Sequence, residues 1–424
     1  MNESLSRLHL RLIALFTAAL PAWSGCAWHA PAATDRQVVE TGGHASLSDW
    51  PVRTQDKLPE IIRIAPDVLS VRVKHDTVVD GKLVKSPKRL PAGEGQFSGL
   101  YGRGLIRRYL PSTDEHESII SEGMCFFSGV EVPPSQAVKR NLVKGPKELG
   151  PGRWVVNLRG TWMRLDAPLS GPARGLVVHL TSYGGYEFEK PIIEEMRQRG
   201  WAVLWVDSSM VKPETVNVDV DPEDLPHAAG QIAAIIDDRV AEGAYAVEAG
   251  LDYVKRERPD IPLSPMVVMG YSAGSLAAPA VVALMPDRFD AAVLVGSGAN
   301  LFDIAQNSAL TDGGIKLHWK RTPSRQERHR LAELYLSASR LDPYWCAEFL
   351  RDKPVLMLHA VLDKIVPAGN GDLLYERLGR PERVNFFLGH ELLFFALPRQ
   401  TAFLADWVDQ TLKAAPPAAT WVAK

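Results

Sequence analysis

From Arg174 onward, apolar residues come in short unbroken runs separated by amphipathic stretches. The runs are Gly175–Leu180, Ala202–Asp207, Met266–Gly270, Ala291–Gly296, Pro354–Ala360 and Arg383–Gly389, each too short to be a helix of ordinary length. A run that is apolar at consecutive positions, rather than at every second one, predicts a strand covered on both faces. Between the runs the period changes. Lys190–Gly200 ends on a glycine suited to a helix C-terminus, and Val240, Ala244, Val247, Leu251 and Val254 recur at four- and three-residue intervals on one face. Strands alternating with helices predict an α/β fold with a mostly parallel central sheet and helices on both faces.

Upstream the pattern is different. Leu69, Val71 and Val73 alternate with polar residues and lead to Val78-Val79-Asp80-Gly81, in which Asp-Gly between apolar runs predicts a hairpin. A second hairpin is expected around Arg159-Gly160, between Trp154–Leu158 and Thr161–Leu165. Residues 27–66 are rich in Ala, Pro, Asp and Gly without a sustained period, which reads as a tether or irregular arm. The expected organisation is a leader at 1–26, the arm at 27–66, a small N-terminal β extension at 67–150 and the α/β domain at 151–415. Residues 297–353 form an insertion between two core strands, expected to be a helical cap.

Composition narrows the class. The chain has 424 residues, 46% hydrophobic and 23% charged, ample for a large core, and no internal repeat is visible. With 48 Lys and Arg against 50 Asp and Glu, nothing in the balance points to nucleic acid as a partner. The run Lys316–Arg330 is locally basic, with six Lys and Arg and one Glu. It is read as the solvated face of the insertion, with a cap that favours an anionic substrate group or a membrane headgroup as the sharper alternative. At the N-terminus, Arg7 and Arg11 precede an apolar stretch from Leu12 to Trp23, then Ser24, Gly25 and Cys26, which predicts export. Trp-Ser-Gly-Cys resembles a bacterial lipobox, in which Cys26 would carry lipid and hold the protein at the periplasmic side of a membrane; plain secretion is the other outcome. Cys125 and Cys346 remain, either as a disulfide or as two buried thiols, and no cysteine cluster has metal-ligand spacing.

The candidate chemistry begins at Gly270-Tyr271-Ser272-Ala273-Gly274. A G-x-S-x-G pentapeptide alone is weak, and a plain turn serine would satisfy it. Here it follows an apolar run and precedes a helix-forming stretch, the strand, sharp turn and helix that the motif requires. Side chains at Gly270 or Gly274 would crowd the neighbouring strand and helix. Pro279, inside that helix, is an irregularity without a sequence-level reason. Asp363 lies just beyond the next-to-last apolar run and His390 just beyond the last; of eleven histidines, His390 alone is C-terminal to Asp363. His179 and His359 fall inside strands and read as packed histidines.

Serine, acid and histidine in this chain order resemble the α/β-hydrolase superfamily, over roughly Trp154 to the C-terminus. The resemblance implies a triad of Ser272 as nucleophile, His390 as general base and Asp363 as its orienting acid. It also implies an oxyanion hole from the backbone N–H of Ala273 and a donor in the loop Thr181–Gly185. Tyr183 is the first choice for that donor and Ser182 the second, since Thr181-Ser182 stands where relatives often carry His-Gly. The implied activity is hydrolysis of an ester or related acyl bond of a small or lipid-like substrate, without metal or organic cofactor. An acyltransferase, or a non-catalytic surface-tethered binding protein, are the alternatives. A dehalogenase would need Asp at position 272, and residues 27–150 are few for the propeller of a prolyl-oligopeptidase-like peptidase.

Overall fold

The computed structural model describes residues 153–183, 186–207, 216–310 and 314–414, together with strands that precede them. The early strands are β1 (Trp28–Ala30), β2 (Ile62–Arg63), β3 (Asp76–Val79), β4 (Lys82–Lys85), β5 (Ile106–Pro111), β6 (Glu117–Val132) and β7 (Lys147–Gly150). The later ones are β8 (Arg153–Asp166), β9 (Leu176–Leu180), β10 (Ala202–Val206), β11 (Val216–Val220), β12 (Met266–Tyr271), β13 (Ala291–Val295), β14 (Ile315–Trp319), β15 (Val355–Ala360) and β16 (Glu382–Phe386). The helices are α1 (Tyr186–Gln198), α2 (Leu225–Glu257), α3 (Ala273–Leu284), α4 (Leu301–Asn307), α5 (Arg325–Ala338), α6 (Pro343–Cys346), α7 (Ala368–Arg377) and α8 (His390–Ala414). The leader with Cys26, and most of the arm at 27–66, lie outside the described residues.

One sheet runs in the order β1-β16-β15-β13-β12-β9-β10-β8-β6-β2. Its centre, from β16 to β10, is parallel throughout. Then β8 joins β10 antiparallel, and β6 joins β8 antiparallel. The fully apolar runs are the reason: β9, β12, β13 and β15 are buried at every position, so each strand supplies core to both faces. Leu176, Val178 and Leu180 point to one side, where Ile232, Val240 and Val247 of α2, Val281 of α3 and Leu374 of α7 pack. Val177 points to the other, against Ile193 and Met196 of α1 and Leu393, Leu397 and Val408 of α8. This helix-covered, mostly parallel sheet is the α/β-hydrolase fold.

Two expectations change. The segment expected to turn at Arg159-Gly160 is the single strand β8, with Arg159 opposite Ser128 and Gly160 opposite Phe127 of β6. Arg-Gly lacks the Asn or Asp that favours a left-handed two-residue turn, and the long partner strand pairs on both sides of it, with a register shift between Ser128 and Val130. The sheet therefore takes in β6, and with it β2 and β5, all upstream of the expected domain start. The insertion is also not purely helical: its β14 pairs in parallel with β11, Val216 opposite Ile315, which joins it to the segment after β10 in one small sheet. At Asp80-Gly81 the flanking strands β3 and β4 pair antiparallel, Val79 opposite Lys82.

One buried acid clasps the inserted segment to α2 and a second ties the segment together internally. Asp237 of α2 accepts hydrogen bonds from Ser339 Oγ at 2.6 Å and from the N–H groups of Arg340 and Leu341. Asp342 is fully buried and accepts from the N–H groups of Asn300, Leu301 and Tyr344 and from the Tyr335 hydroxyl. Burial pushes the Asp237 carboxyl up to about 6 and raises that of Asp342 too, against the pull of these donors. Cys346, in the same layer, is an unpaired buried thiol. The basic run carries its own counter-charges: Lys320 pairs with Asp221, and Arg321 with Glu223 and Glu327, which suits a solvated face.

Candidate active site

The carboxyl ends of β9, β12, β15 and β16 lie at one edge of the sheet, and the sequence candidates sit just beyond them. Ser272 ends β12 at φ 47°, ψ −114°, a left-handed backbone that no helix or strand uses. Its N–H still donates to Val295 O at 2.8 Å, completing the ladder to β13, and the chain then turns directly into α3. The turn needs its glycines for steric reasons. A Cβ on Gly274 would lie 2.1 Å from Leu180 O, and one on Gly270 would lie 2.6 Å from the Cα of Ser275. Both obstacles are backbone, so neither can rotate away.

Ser272 Oγ is 2.8 Å from His390 Nε2, and His390 Nδ1 is 2.6 Å from Asp363 Oδ2. The other carboxylate oxygen, Asp363 Oδ1, accepts from the N–H groups of Ile365 and Val366 at 2.8 and 2.9 Å. Asp363 and His390 are buried, whereas Ser272 is half-buried. The three side chains thus form one hydrogen-bonded line from a fixed carboxylate to an accessible hydroxyl. A nucleophile with a base in reach, and a base oriented by a third group, can carry out acyl transfer.

Two features behind this line were not legible in the motif. Gly296, at φ 60°, lies behind the imidazole, where a Cβ would come within 3.0 Å of His390 Cε1. Ser297 accounts for Pro279. Proline at 279 has no N–H for the carbonyl of Ser275 four residues earlier, and that carbonyl accepts the Ser297 hydroxyl at 3.0 Å instead. The irregular proline therefore ties the helix that follows Ser272 to the end of β13.

The loop after β9 carries the two candidate oxyanion donors, and it separates them. The N–H of Thr181 is taken by Val206 O and that of Ser182 by Glu189 Oε1. The Ser182 hydroxyl also donates to Glu189 Oε1, so Ser182 is turned inward, while the Tyr183 side chain is 64% exposed. Among the strand histidines, His179 is buried with Nε2 2.8 Å from Glu189 Oε2 and its ring stacked 4.6 Å from Tyr271. His359 is buried against Gly371, and that burial lowers its pKa. Large apolar side chains are exposed on the segments that carry the candidate residues: Leu362 beside Asp363, Phe387 before His390, and Leu392 and Phe395 after it. Phe395 meets Phe188 of α1 edge-on at 4.7 Å.

The sequence model of the prolyl oligopeptidase family matches residues 238–388, a stretch that includes Ser272 and Asp363. No curated protein sequence matches the chain. Among solved structures the chain is similar to Est1E from Butyrivibrio proteoclasticus, with 15% identity, a TM-score of 0.41, and coverage of 60% of this chain and 95% of that one. It is also similar to the esterase domain of a Rhodothermus marinus protein, with 15% identity, a TM-score of 0.38, and coverage of 62% and 96%. A third is the Pyrococcus horikoshii acylaminoacyl peptidase, with 12% identity, a TM-score of 0.42, and coverage of 80% and 53%.

Proposed function

We propose that this serine hydrolase of the α/β-hydrolase fold cleaves carboxylic esters through an acyl-enzyme on Ser272. His390 Nε2 takes the hydroxyl proton as Oγ bonds to the substrate carbonyl carbon, and the electron pair of the C=O moves onto oxygen. The imidazolium then returns the proton to the departing alkoxide. In the second half a water molecule repeats the sequence and releases the acid. Asp363 holds the imidazole with Nδ1–H toward the carboxylate and Nε2 free to accept, and it stabilises the cation that forms. The observation that carries this reading is the continuous line Ser272 Oγ, His390 Nε2, His390 Nδ1, Asp363 Oδ2 at 2.8 and 2.6 Å.

The oxyanion is assigned to the backbone N–H groups of Ala273 and Tyr183. Ala273 opens α3, and the first N–H groups of a helix have no acceptor within it. Tyr183 follows from the loop: its two predecessors already have acceptors for their N–H groups. A donor of this kind contributes ~2.7–4 kcal/mol to the transition state. The exposed Leu362, Phe387, Leu392 and Phe395 favour substrates with a sizeable apolar part. Export as a lipoprotein, with lipid on Cys26, is the matching cellular assignment; mass spectrometry of the mature N-terminus tests it, and an unmodified residue other than Cys26 there refutes it.

The deciding experiment is labelling by a fluorophosphonate, which bonds covalently to an activated serine. Wild type is labelled and hydrolyses p-nitrophenyl esters, while Ser272→Ala does neither. Absence of labelling in the folded wild type would remove the enzymatic reading and favour a non-catalytic binding protein.

A further inference from the structure

We infer that Glu189 is a positioning residue that aims the oxyanion loop, an inference that rests on the assignment of Tyr183 N–H above. Glu189 lies in the first turns of α1 and is completely buried, an arrangement that costs several kcal/mol for a carboxylate unless donors surround it. It has three. Oε1 accepts from both the N–H and the hydroxyl of Ser182, and Oε2 is held at 2.8 Å by His179 Nε2. All three are donors to an acceptor-only group, so they are charge-assisted bonds, and His179 presents its Nε2–H to the carboxylate.

Two of the three bonds end on Ser182, the residue directly before Tyr183. They grip Ser182 at its backbone nitrogen and at the end of its side chain, which fixes the direction in which the following peptide group, and so the Tyr183 N–H, leaves the loop. Thr181, one residue earlier, is fixed to β10 through its bond to Val206 O. The third bond fixes the carboxylate to β9 through His179, whose ring stacks on Tyr271, the neighbour of the nucleophile. Gly274, which begins the turn into α3, lies directly against Leu180 O at the end of the same strand. The donor loop and the nucleophile turn therefore share one buried floor, and Glu189 connects them without touching the reacting atoms.

The prediction separates transition-state from ground-state binding. Glu189→Leu keeps an apolar shape but leaves Ser182 without its acceptor. With complete loss of one oxyanion donor worth ~100–1,000-fold in kcat, a misdirected donor should lower kcat by about 10–100-fold. KM should stay within about threefold, because the ground-state carbonyl draws little on the oxyanion donors. A trifluoromethyl ketone, which forms a tetrahedral oxyanion adduct on serine, should lose affinity by the same factor as kcat/KM. Glu189→Gln should restore most of both, because its amide oxygen can still accept from Ser182 while its NH2 donates to His179 Nε2, which the imidazole frees by carrying its proton on Nδ1.

A folded Glu189→Leu whose ketone Ki, kcat and KM all stay within about threefold of wild type overturns the inference. So does a fall in kcat that leaves the ketone affinity unchanged. If Glu189→Leu does not fold, Ser182→Ala, which removes one of the two bonds, is read by the ratio of ketone Ki to KM: a rise of about 3–10-fold supports the role and an unchanged ratio overturns it. Ser272→Ala run alongside separates the two levels. Activity persisting in Ser272→Ala defeats the underlying mechanism, whereas loss there with an unchanged Glu189→Leu defeats only the positioning role.

Discussion

Replacing Asp363 by Asn tests the triad sharply, because the surroundings decide how the amide will sit. Asp363 Oδ1 accepts two backbone N–H groups, from Ile365 and Val366. The asparagine oxygen must take that place, since turning the NH2 toward two N–H donors would leave both unsatisfied at ~1–3 kcal/mol each. The NH2 then faces His390 Nδ1, where it can only donate. The imidazole responds by carrying its proton on Nε2, the atom 2.8 Å from Ser272 Oγ, and can no longer accept the serine proton. The fold should be undisturbed, since shape and two of the three hydrogen bonds are kept. For this change of tautomer the expected fall in kcat is ~10,000-fold, about 5.5 kcal/mol of transition-state free energy. Steady-state hydrolysis of p-nitrophenyl acetate measures it, beside a thermal melt that should stay within a few degrees of wild type. A folded Asp363→Asn enzyme that retained more than a tenth of the activity would show that another group orients His390, and would refute the reasoning.

Three further outcomes follow. Gly274→Ala places a Cβ 2.1 Å from Leu180 O, so α3 must shift against β9; a stability loss of ~3 kcal/mol or more and a loss of activity beyond about 100-fold are expected, and a normal melt with normal activity would refute the steric account. Asp237, held near 6 by burial against ~3.9 unfolded, binds its proton more tightly in the folded state. Its contribution to stability is therefore fully present below pH ~4 and is lost as pH rises through about 6, on the order of 3 kcal/mol. Asp237→Asn should flatten that part of the curve of unfolding free energy against pH, measured by urea titration, and a curve parallel to wild type would exclude Asp237 as its source. Phe387→Ser removes an apolar side chain that is 64% exposed at the site; covering it with substrate is worth ~1–2 kcal/mol, so the preference in kcat/KM for decanoate over acetate esters should fall about 5–30-fold, and an unchanged ratio would place the apolar part of the substrate elsewhere.

What could be read from the sequence was what local sterics and chain order enforce. A strained turn from strand into helix demands glycines two residues to either side, so Ser272 stands out as a candidate within five letters. Strands buried on both faces are apolar at every position, so the parallel core of the sheet is visible as runs. Asp363 and His390 follow from their places after the last two runs. The misreading at Arg159-Gly160 has the opposite origin. Whether a dipeptide turns or stays extended depended on the long partner strand β6, thirty residues upstream, about which the dipeptide says nothing.

The same distinction explains why the supporting residues were hidden. Glu189 in sequence is one of several acids on an amphipathic helix; only the fold turns it inward to Ser182 and His179. Pro279 was visible but had no reason until Ser297, just beyond β13, supplied the hydroxyl for the carbonyl that proline leaves bare. Both cases have one logic: a local irregularity, a buried charge or a proline in a helix, is stable only if a distant group completes it. At this site the partners are Ser182 in the loop after β9, His179 in β9 itself and Ser297 just beyond β13. Each irregularity is met by a bond that also braces an element carrying a candidate site residue, so removing the partner should show first in kcat and only then in stability.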